Sequence, residues 1–295
     1  MTVELRHLRY FLALAGELHF GRAAQQLHIA QPALSQQIQK LEREIGTQLF
    51  VRTRREVQLS PAGAALRPHA ERAIREAAAG AEAARRTAAG EIGQLTVGFI
   101  ETAASSLVPQ AVRRFQAERP DVGLTLRELG VSSQIEGLRA GWLDIAIMRP
   151  PIEDQGLVVE QIVDEGLVAA VPSAHDLARR SRVGAAAVAR EPLIALSREV
   201  VPGLYDQVLG LRQEHGGGPI AQEATSIQAV LGLVAAGLGI AIMPASVRGL
   251  SREGVSFVAI QTDQRSTMVA ARREEDSSPL VLAFLDAARM AARQR

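Results

Sequence analysis

Between residues 18 and 59, the apolar positions of the chain follow two helical patterns and then an alternating one. The run RAAQQL from Arg22 is good helix-forming sequence, and its small alanines allow another helix to pack closely. This pattern stops at His28. Gln31-Pro32 then opens a second helix, because proline is favoured in the first helical turn, where its missing N–H costs nothing. The segment therefore predicts a helix, a turn near residues 28–31, and a second helix.

The second predicted helix has one apolar and one polar face. Its apolar residues recur at helical spacing and are expected to face inward: Leu34, Ile38, Leu41 and Ile45. Polar residues remain on the outer and flanking faces: Gln31, Ser35, Gln36, Gln39, Lys40 and Arg43. Amides and hydroxyls can pair with base edges, while lysine and arginine neutralise phosphates. The polar face therefore predicts insertion into the major groove of DNA, and an ordinary solvated helix face is the alternative.

The segment LFVRTRREVQL, which follows Gly46, alternates apolar and polar residues. Such alternation predicts a two-stranded hairpin, or wing, around the guanidinium groups of Arg52, Arg54 and Arg55. Guanidinium groups bind phosphates well, so the wing is expected to contact the DNA backbone. The predicted wing, which follows the second helix directly, favours DNA binding as the role of the polar helix face.

Residues 60–90 predict a long helix, because Ser60-Pro61 is a helix-start signal and the rest is dominated by alanine, arginine and glutamate. Pro68 is expected to kink or restart the helix, because an interior proline removes a hydrogen bond. An alanine-rich seam is suited to pairing with a second copy of the helix, and a single solvated helix is the alternative. The seam consists of Leu66, Ala73, Ile74, Ala77 and Ala81.

From Gln94 onward, short apolar runs alternate with helical patterns, as in QLTVGFI, VGLTLREL and LDIAIM. A second set runs through LVAAV, PLIALS and GPIAQEA, and the chain closes with VSFVAI, STMVAARR and a final helix. This succession predicts an α/β fold with a largely parallel sheet. Ligands are then expected at the carboxyl ends of the strands.

The uncharged segment 225–247 is about as long as a membrane span. Gly237, Gly239 and Pro244 interrupt it, so a helix, a glycine turn and a buried strand are the favoured interpretation.

Two predicted helix starts carry small polar residues directly after strands. The first includes Thr102, followed by the small apolar Ala103, and the second includes Ser132 and Ser133. Helix N-termini favour anions, so these residues, with Arg149 after the third strand, predict a carboxylate site. The alternative is that the hydroxyls only cap their helices. Glu101 would oppose a bound carboxylate unless it points away or the effector is not a simple anion.

Composition adds several exclusions. The chain has 295 residues, 47% of them hydrophobic, which is enough for more than one domain. It contains no cysteine, which excludes disulfides and thiolate chemistry. The start of the chain does not resemble a signal peptide, so a cytoplasmic protein is expected. The net charge is +5 over residues 1–90 and −4 over the remainder, which suits a DNA-binding domain followed by one that avoids DNA.

The six histidines show no paired metal-ligand spacing, and no serine lies in a nucleophile-elbow pattern. The sequence therefore predicts no catalytic residues, no metal site, no cofactor and no enzymatic activity.

The segment ELRHLRYFLALAGELHFGRAAQQLHIAQPALSQQIQKLEREIGTQLFVRTRREVQLSPAG resembles the N-terminal signature of LysR-type transcriptional regulators. The resemblance implies that Gln31, Pro32, Ser35 and Gln36 approach DNA, with Arg52 and Arg54 in the wing. Gly21 and Ala30 stand where the family often has a hydroxyl cap, so both caps are expected to be weak. The missing cysteine excludes the peroxide-sensing members of the family.

The resemblance also implies a domain order. A winged helix-turn-helix over residues 1–59 is followed by a linker helix over 60–90 and a two-lobed α/β effector domain over 91–295, similar to type 2 periplasmic binding proteins. Lobe I is expected at about 91–161 plus 266–295, and lobe II at about 162–265. Matching effector positions in lobe II are Ser197, Ser226 and Ile227.

What the resemblance implies about function is a cytoplasmic regulator that binds promoter DNA and a small-molecule effector. Its partners would be RNA polymerase and further copies of itself, as a dimer through the linker helix and a homotetramer. The stretches IMRPP and SIQAVLGLVAAGLGIAIMPAS look most like the branch that senses aromatic acids and muconate-like diacids. The alternative function is a small-molecule binding protein without DNA-regulatory activity.

Overall fold

The structure is a computed structural model that describes residues 3–52, 56–218 and 220–293. The chain divides into two compact units, Met1–Arg86 and Thr87–Arg295. Most of the predicted linker helix therefore groups with the N-terminal unit.

The first unit is mainly helical. Its elements are α1 (Leu5–Glu17), α2 (Phe20–Gln26), α3 (Gln31–Ile45), β1 (Phe50–Arg52), β2 (Val57–Leu59) and α4 (Pro61–Ala88). Strands β1 and β2 are antiparallel, as expected for the wing. Helix α1 lies before the predicted helix pair and completes its core, because Phe11 and Leu14 are fully buried.

The turn between α2 and α3 lies where the sequence predicts it, and His28 adopts a left-handed φ of 52° there. The cap of α2 differs from the expectation. Helix α2 begins at Phe20, and the Nδ1 atom of His19 accepts a hydrogen bond from the backbone N–H of Arg22 at 3.2 Å. Gly21 is therefore inside the helix, and the expectation of a weak cap there was wrong. Ala30 is the N-cap of α3 and, as predicted, has no polar side chain with which to cap it.

Helix α4 begins where the sequence predicts. The Ser60 hydroxyl accepts a hydrogen bond from the N–H of Gly63 at 2.9 Å and donates to the carbonyl of Gln48 at 2.7 Å. The helix continues through Pro68, so the expected restart does not occur. Its early turns belong to the core of the first unit, because Ala70 is 1% exposed and Ile74 packs against the same apolar cluster.

The second unit has two lobes. The first sheet has the strand order β4-β3-β5-β13-β6. Its strands are β3 (Gly93–Phe99), β4 (Val122–Glu128), β5 (Ile145–Met148), β6 (Leu157–Glu165) and β13 (Ser266–Arg273). Its helices are α5 (Glu101–Ala104), α6 (Leu107–Glu118), α7 (Val131–Ala140) and α11 (Pro279–Arg293). Strands β3, β4 and β5 are parallel, but β13 is antiparallel to both of its neighbours, so the sheet is mixed.

The second lobe contains the remaining elements. Its strands are β7 (Leu167–Pro172), β8 (Arg182–Gly184), β9 (Leu193–Leu196), β10 (Ile220–Ala224), β11 (Ala241–Pro244) and β12 (Val255–Gln261). Its helices are α8 (Ala185–Ala189), α9 (Pro202–Glu214) and α10 (Ile227–Ala235). One sheet has the order β11-β7-β12-β8, and β10 pairs with β9 in parallel.

Two strands carry the chain between the lobes. Strand β6 pairs with β13 as far as the Glu165–Ser266 partners, so the first sheet extends beyond residue 161. The final strand and helix return to the first lobe, as the family resemblance implies. Each lobe has its own buried apolar cluster.

The uncharged segment 225–247 forms helix α10, a glycine turn and the buried strand β11, as predicted. Across the described ranges, every helix is either too short or too polar to cross a membrane.

Candidate DNA-binding surface and ligand cavity

Helix α3 has the two faces that its sequence predicts. Leu34, Ile38 and Leu41 are fully buried in the core of the first unit. On the opposite side, Gln31, Pro32 and Gln36 are exposed and Ser35 is half-buried. The burial of the apolar face fixes the rotation of the helix, so the polar residues at its start are presented outward.

Two predicted DNA contacts already have protein partners. The Lys40 ammonium lies 3.7 Å from a carboxylate oxygen of Glu4 and 3.9 Å from one of Glu44. The Arg52 guanidinium lies 3.3 Å from Glu42 and 4.9 Å from the centre of the Phe20 ring. The Lys40 pairs lie at the surface and are weak, so this cation can exchange partners, whereas the Arg52 pair is partly buried, with Glu42 only 12% exposed.

Arg54 and Arg55, predicted for the tip of the wing, lie outside the described residues.

Glu42 is a structural residue of this surface that the sequence pattern did not reveal. One carboxylate oxygen accepts hydrogen bonds from the backbone N–H groups of Leu49 and Phe50 at 2.9 and 3.2 Å. The other oxygen accepts from Arg52. Glu42 therefore ties the first strand of the wing to α3. An acid in the last turns of a helix gave no signal by itself.

A cavity of about 270 Å³ lies between the two lobes of the second unit. Its polar lining comes from the ends of strands and the starts of helices: Glu101, Thr102, Glu128, Arg149, Thr225 and Ser226. Its apolar lining comes mostly from lobe II, at Leu196, Val200, Val201, Leu204 and Ile227, with Ile100 and Leu129 from lobe I. The cavity therefore suits a small molecule with an apolar body and a polar group.

Four of the predicted effector residues line this cavity: Thr102, Arg149, Ser226 and Ile227. The others lie elsewhere. Ala103 is fully buried in the core of lobe I, whereas Ser132 and Ser133 are exposed at the start of α7. Ser197 follows β9, and its hydroxyl accepts a hydrogen bond from the N–H of Glu199 at 3.3 Å. The cavity lining, as far as the structure describes it, does not include these four residues.

Thr102 presents a buried polar atom at the cavity. The residue is only 6% exposed, and its Oγ1 atom has no hydrogen-bond partner among the described residues. Buried hydroxyls are normally hydrogen-bonded, so this atom is available to a ligand or to water.

Glu101 spans the gap between the lobes. Its Oε2 atom accepts a hydrogen bond from the backbone N–H of Ile227, the first residue of α10, at 3.1 Å. The carboxylate therefore points toward the helix start rather than away from it.

Arg149 lines the cavity, but its side chain is almost completely buried. Its Nη2 atom lies 2.6 Å from Glu165, and the two side chains are 7% and 10% exposed. Its Nη1 atom donates to the hydroxyl of Ser266 at 2.8 Å and to the carbonyl of Thr267 at 3.2 Å. The Ser246 hydroxyl donates to Glu165 at 2.9 Å. The predicted anion-binding arginine is thus part of a buried ion pair where strands β6 and β13 join the lobes.

Helix α9 holds the apolar wall of the cavity in place. The Tyr205 hydroxyl donates a hydrogen bond to Glu223 on β10 at 2.7 Å, and this bond raises the pKa of Tyr205. The bidentate pair between Arg198 and Asp206 lies at the same end of the helix, and the hydrogen bond from Arg198 lowers the pKa of Asp206.

Two family models match this chain, one in each of its two compact units. Residues 5–64 match the family model described as bacterial regulatory helix-turn-helix protein, lysR family. Residues 88–293 match the model described as LysR substrate binding domain.

Curated relatives match along nearly the whole chain. The transcriptional regulator AlsR of Bacillus subtilis is 38% identical over 285 residues, which is 96% of this chain and 94% of AlsR. The regulator CatR of Pseudomonas putida is 35% identical over 281 residues, which is 95% of this chain and 96% of CatR. The similar identities do not single out one branch of the family.

The crystal structure of CbnR, a LysR family transcriptional regulator, has a TM-score of 0.86 and 28% identity, and covers 97% of this chain and 100% of CbnR. CbnR has also been crystallised with its target DNA. With its helix-turn-helix, its long α4 and its two-lobed α/β domain, the chain belongs to the LysR-type transcriptional regulators, DNA-binding proteins with an effector-binding domain and not enzymes.

Proposed function

We propose that this regulator reads promoter DNA through the start of α3 and responds to a small molecule in the cavity between its lobes. The observation that carries the first part is the exposed polar start of α3, at Gln31, Pro32 and Gln36, opposite a fully buried apolar face. Ser35 lies beside them, and Lys40, Arg52, Arg54 and Arg55 supply the phosphate contacts. The crystal structure of the similar protein CbnR with its target DNA supports DNA binding as such.

Gln36→Ala should weaken binding to the regulator's own promoter by about 1–3 kcal/mol, because a side-chain amide that pairs with a base edge is lost. Binding to random DNA should change little, since phosphate contacts remain. Electrophoretic mobility shifts at fixed salt on both DNAs measure the two affinities.

Gln213→Ala removes an exposed glutamine from the second unit and is the matched control. If Gln36→Ala discriminates between promoter and random DNA as well as the wild type does, Gln36 does not read a base. The alternative of a small-molecule binding protein without regulatory activity predicts no selective promoter shift even for the wild type.

The second part of the proposal is supported by the mixed polar and apolar lining of the cavity and by the buried Thr102 hydroxyl. Ligand binding between the lobes would change their relative position and so couple the cavity to DNA binding. The two bodies that would move are the lobes predicted from the sequence, 91–161 with 266–295 and 162–265, with the first extended to residue 165 because β6 pairs with β13 up to there.

Thr102→Val should weaken the binding of a cavity ligand by about 1 kcal/mol, because the isosteric valine cannot hydrogen-bond. A thermal-shift screen of aromatic and dicarboxylic acids and their amides supplies the ligands, since a compound that binds only the folded state raises its stability. Promoter binding without ligand should be unchanged.

Thr125→Val, on the exposed part of strand β4, is the control. Equal thermal shifts for the wild type and Thr102→Val would remove Thr102 from the ligand site.

We also propose that the chain acts as an oligomer and contacts RNA polymerase. The exposed alanines in the later turns of α4 support pairing with a second copy, because small side chains allow helices to approach closely. A homotetramer built from such dimers would bind a partly palindromic site. An aromatic or dicarboxylic acid as effector is what the sequence resemblance predicts, and the carboxylates of Glu101 and Glu128 in the cavity lining disfavour it.

A further inference from the structure

We propose that Glu101 sets the charge selectivity of the ligand cavity. Its carboxylate holds the anion position at the start of α10, so the cavity prefers a ligand whose polar group is uncharged or cationic over one that brings a carboxylate. This inference rests on the proposed function, because it concerns the ligand of the same cavity.

Side chains of the protein already occupy the N-terminus of α10. The start of a helix offers backbone N–H groups and a partial positive charge to an anion. In this nine-residue helix, the N–H of Ile227 is bound by Glu101 at 3.1 Å, and the N–H of Ala229 is bound by the Ser226 hydroxyl at 3.2 Å. An incoming carboxylate would have to displace the protein's own carboxylate.

The charged residues that line the cavity make it unfavourable for an anion. Glu101 and Glu128 both line it. They come from the same edge of the first sheet, because Glu128 is the register partner of Phe99 and Glu101 follows shortly after Phe99. Arg149 also lines the cavity, but its charge is matched by Glu165 at 2.6 Å. A ligand carboxylate would therefore meet like charge, which disfavours binding.

The Thr102 hydroxyl is the polar group that remains available to a ligand. The Oγ1 atom of Thr102 is buried and has no partner among the described residues, and Thr102 follows Glu101 directly in the cavity wall. A hydroxyl can accept a hydrogen bond from a ligand N–H or O–H group. Val201 and Leu204 face the apolar body of such a ligand. An amide, alcohol or amine on a compact apolar frame has this chemistry.

Glu101→Gln tests the charge alone, since glutamine keeps an acceptor oxygen for the N–H of Ile227. Isothermal titration calorimetry of the full chain would use matched monocyclic probes: benzoate with benzamide, and cyclohexanecarboxylate with its primary amide. The wild type should bind each amide more tightly than its carboxylate. In Glu101→Gln, the ratio of the two affinities should shift toward the carboxylate by about tenfold or more, because a like charge has been removed. Glu253→Gln, at an exposed acid, should leave the ratio unchanged.

The possible outcomes distinguish this inference from the proposed function. An unchanged ratio in Glu101→Gln would reduce Glu101 to a structural cap of α10 and overturn this inference, while the cavity would stand as a ligand site. If the variant does not fold, the wild type still decides, because a carboxylate that binds more tightly than its amide overturns the inference. Failure of every probe to bind the wild type and the variant would overturn this inference and the ligand part of the proposed function, while the reading of promoter DNA through α3 would stand.

Discussion

Glu165→Ala should destabilise the second unit by about 3–5 kcal/mol, which is the cost of removing one partner of a buried ion pair. The Arg149 guanidinium, 7% exposed, would keep its charge but lose its carboxylate. The hydrogen bonds of Arg149 to the Ser266 hydroxyl and the Thr267 carbonyl bring no negative charge that could replace the carboxylate. Urea unfolding of the full chain, followed by the fluorescence of its single tryptophan, Trp142, reports on this unit.

Asp206→Ala provides the control for Glu165→Ala. Asp206 pairs with Arg198 in the same unit, but the two side chains are 53% and 63% exposed, so the transition should hardly move. Replacing Arg149 and Glu165 together by Met and Leu should recover much of the lost stability, because no buried charge is then left alone. A Glu165→Ala variant as stable as the wild type would mean that water reaches Arg149.

Ile38→Ala should destabilise the first unit by about 2–5 kcal/mol, because it leaves a cavity beneath helix α3. Ile38 is fully buried, whereas Gln36 and Gln39 on either side of it in the sequence are exposed. Promoter binding should fall with the loss of stability. Hydrogen exchange of peptides from α3, measured by mass spectrometry, should become faster across the whole helix, because the amides exchange through unfolding of this unit.

Gln39→Ala, one position further along the same helix and exposed, should leave α3 exchange nearly unchanged. If Ile38→Ala weakens promoter binding without faster exchange in α3, its effect on DNA binding does not come from the packing of the helix.

Local pattern predicted those parts of the fold that a single segment determines. The apolar stripe of α3 could be predicted because side chains three and four positions apart share a face. The mixed order of the first sheet could not, because β13 returns from far along the chain and pairs antiparallel with β5. The cap of α2 was also missed, because a histidine is not one of the residues that normally cap helices.

The candidate effector site shows the same division. The starts of α7 and α10 follow from the sequence, and both lie as predicted. The hydrogen-bond partners of these residues on distant segments could not be predicted from the spacing of residues along the sequence. Glu101 binds a backbone group 126 residues away, and Arg149 binds Ser266 at a separation of 117 residues. Such contacts decide which helix start is open to a ligand, and only the folded chain brings them together.

The packing of α4 fixes where the DNA-binding unit can be cut. Because Leu66, Ala70 and Ile74 belong to the apolar cluster of that unit, a fragment that ends with the wing at residue 59 exposes part of its interior to water. A fragment that runs past Ile74 keeps the interior closed. Exchange of sensor domains between regulators, by gene fusion or in the laboratory, should therefore succeed with a junction beyond this residue and fail with one directly after the wing.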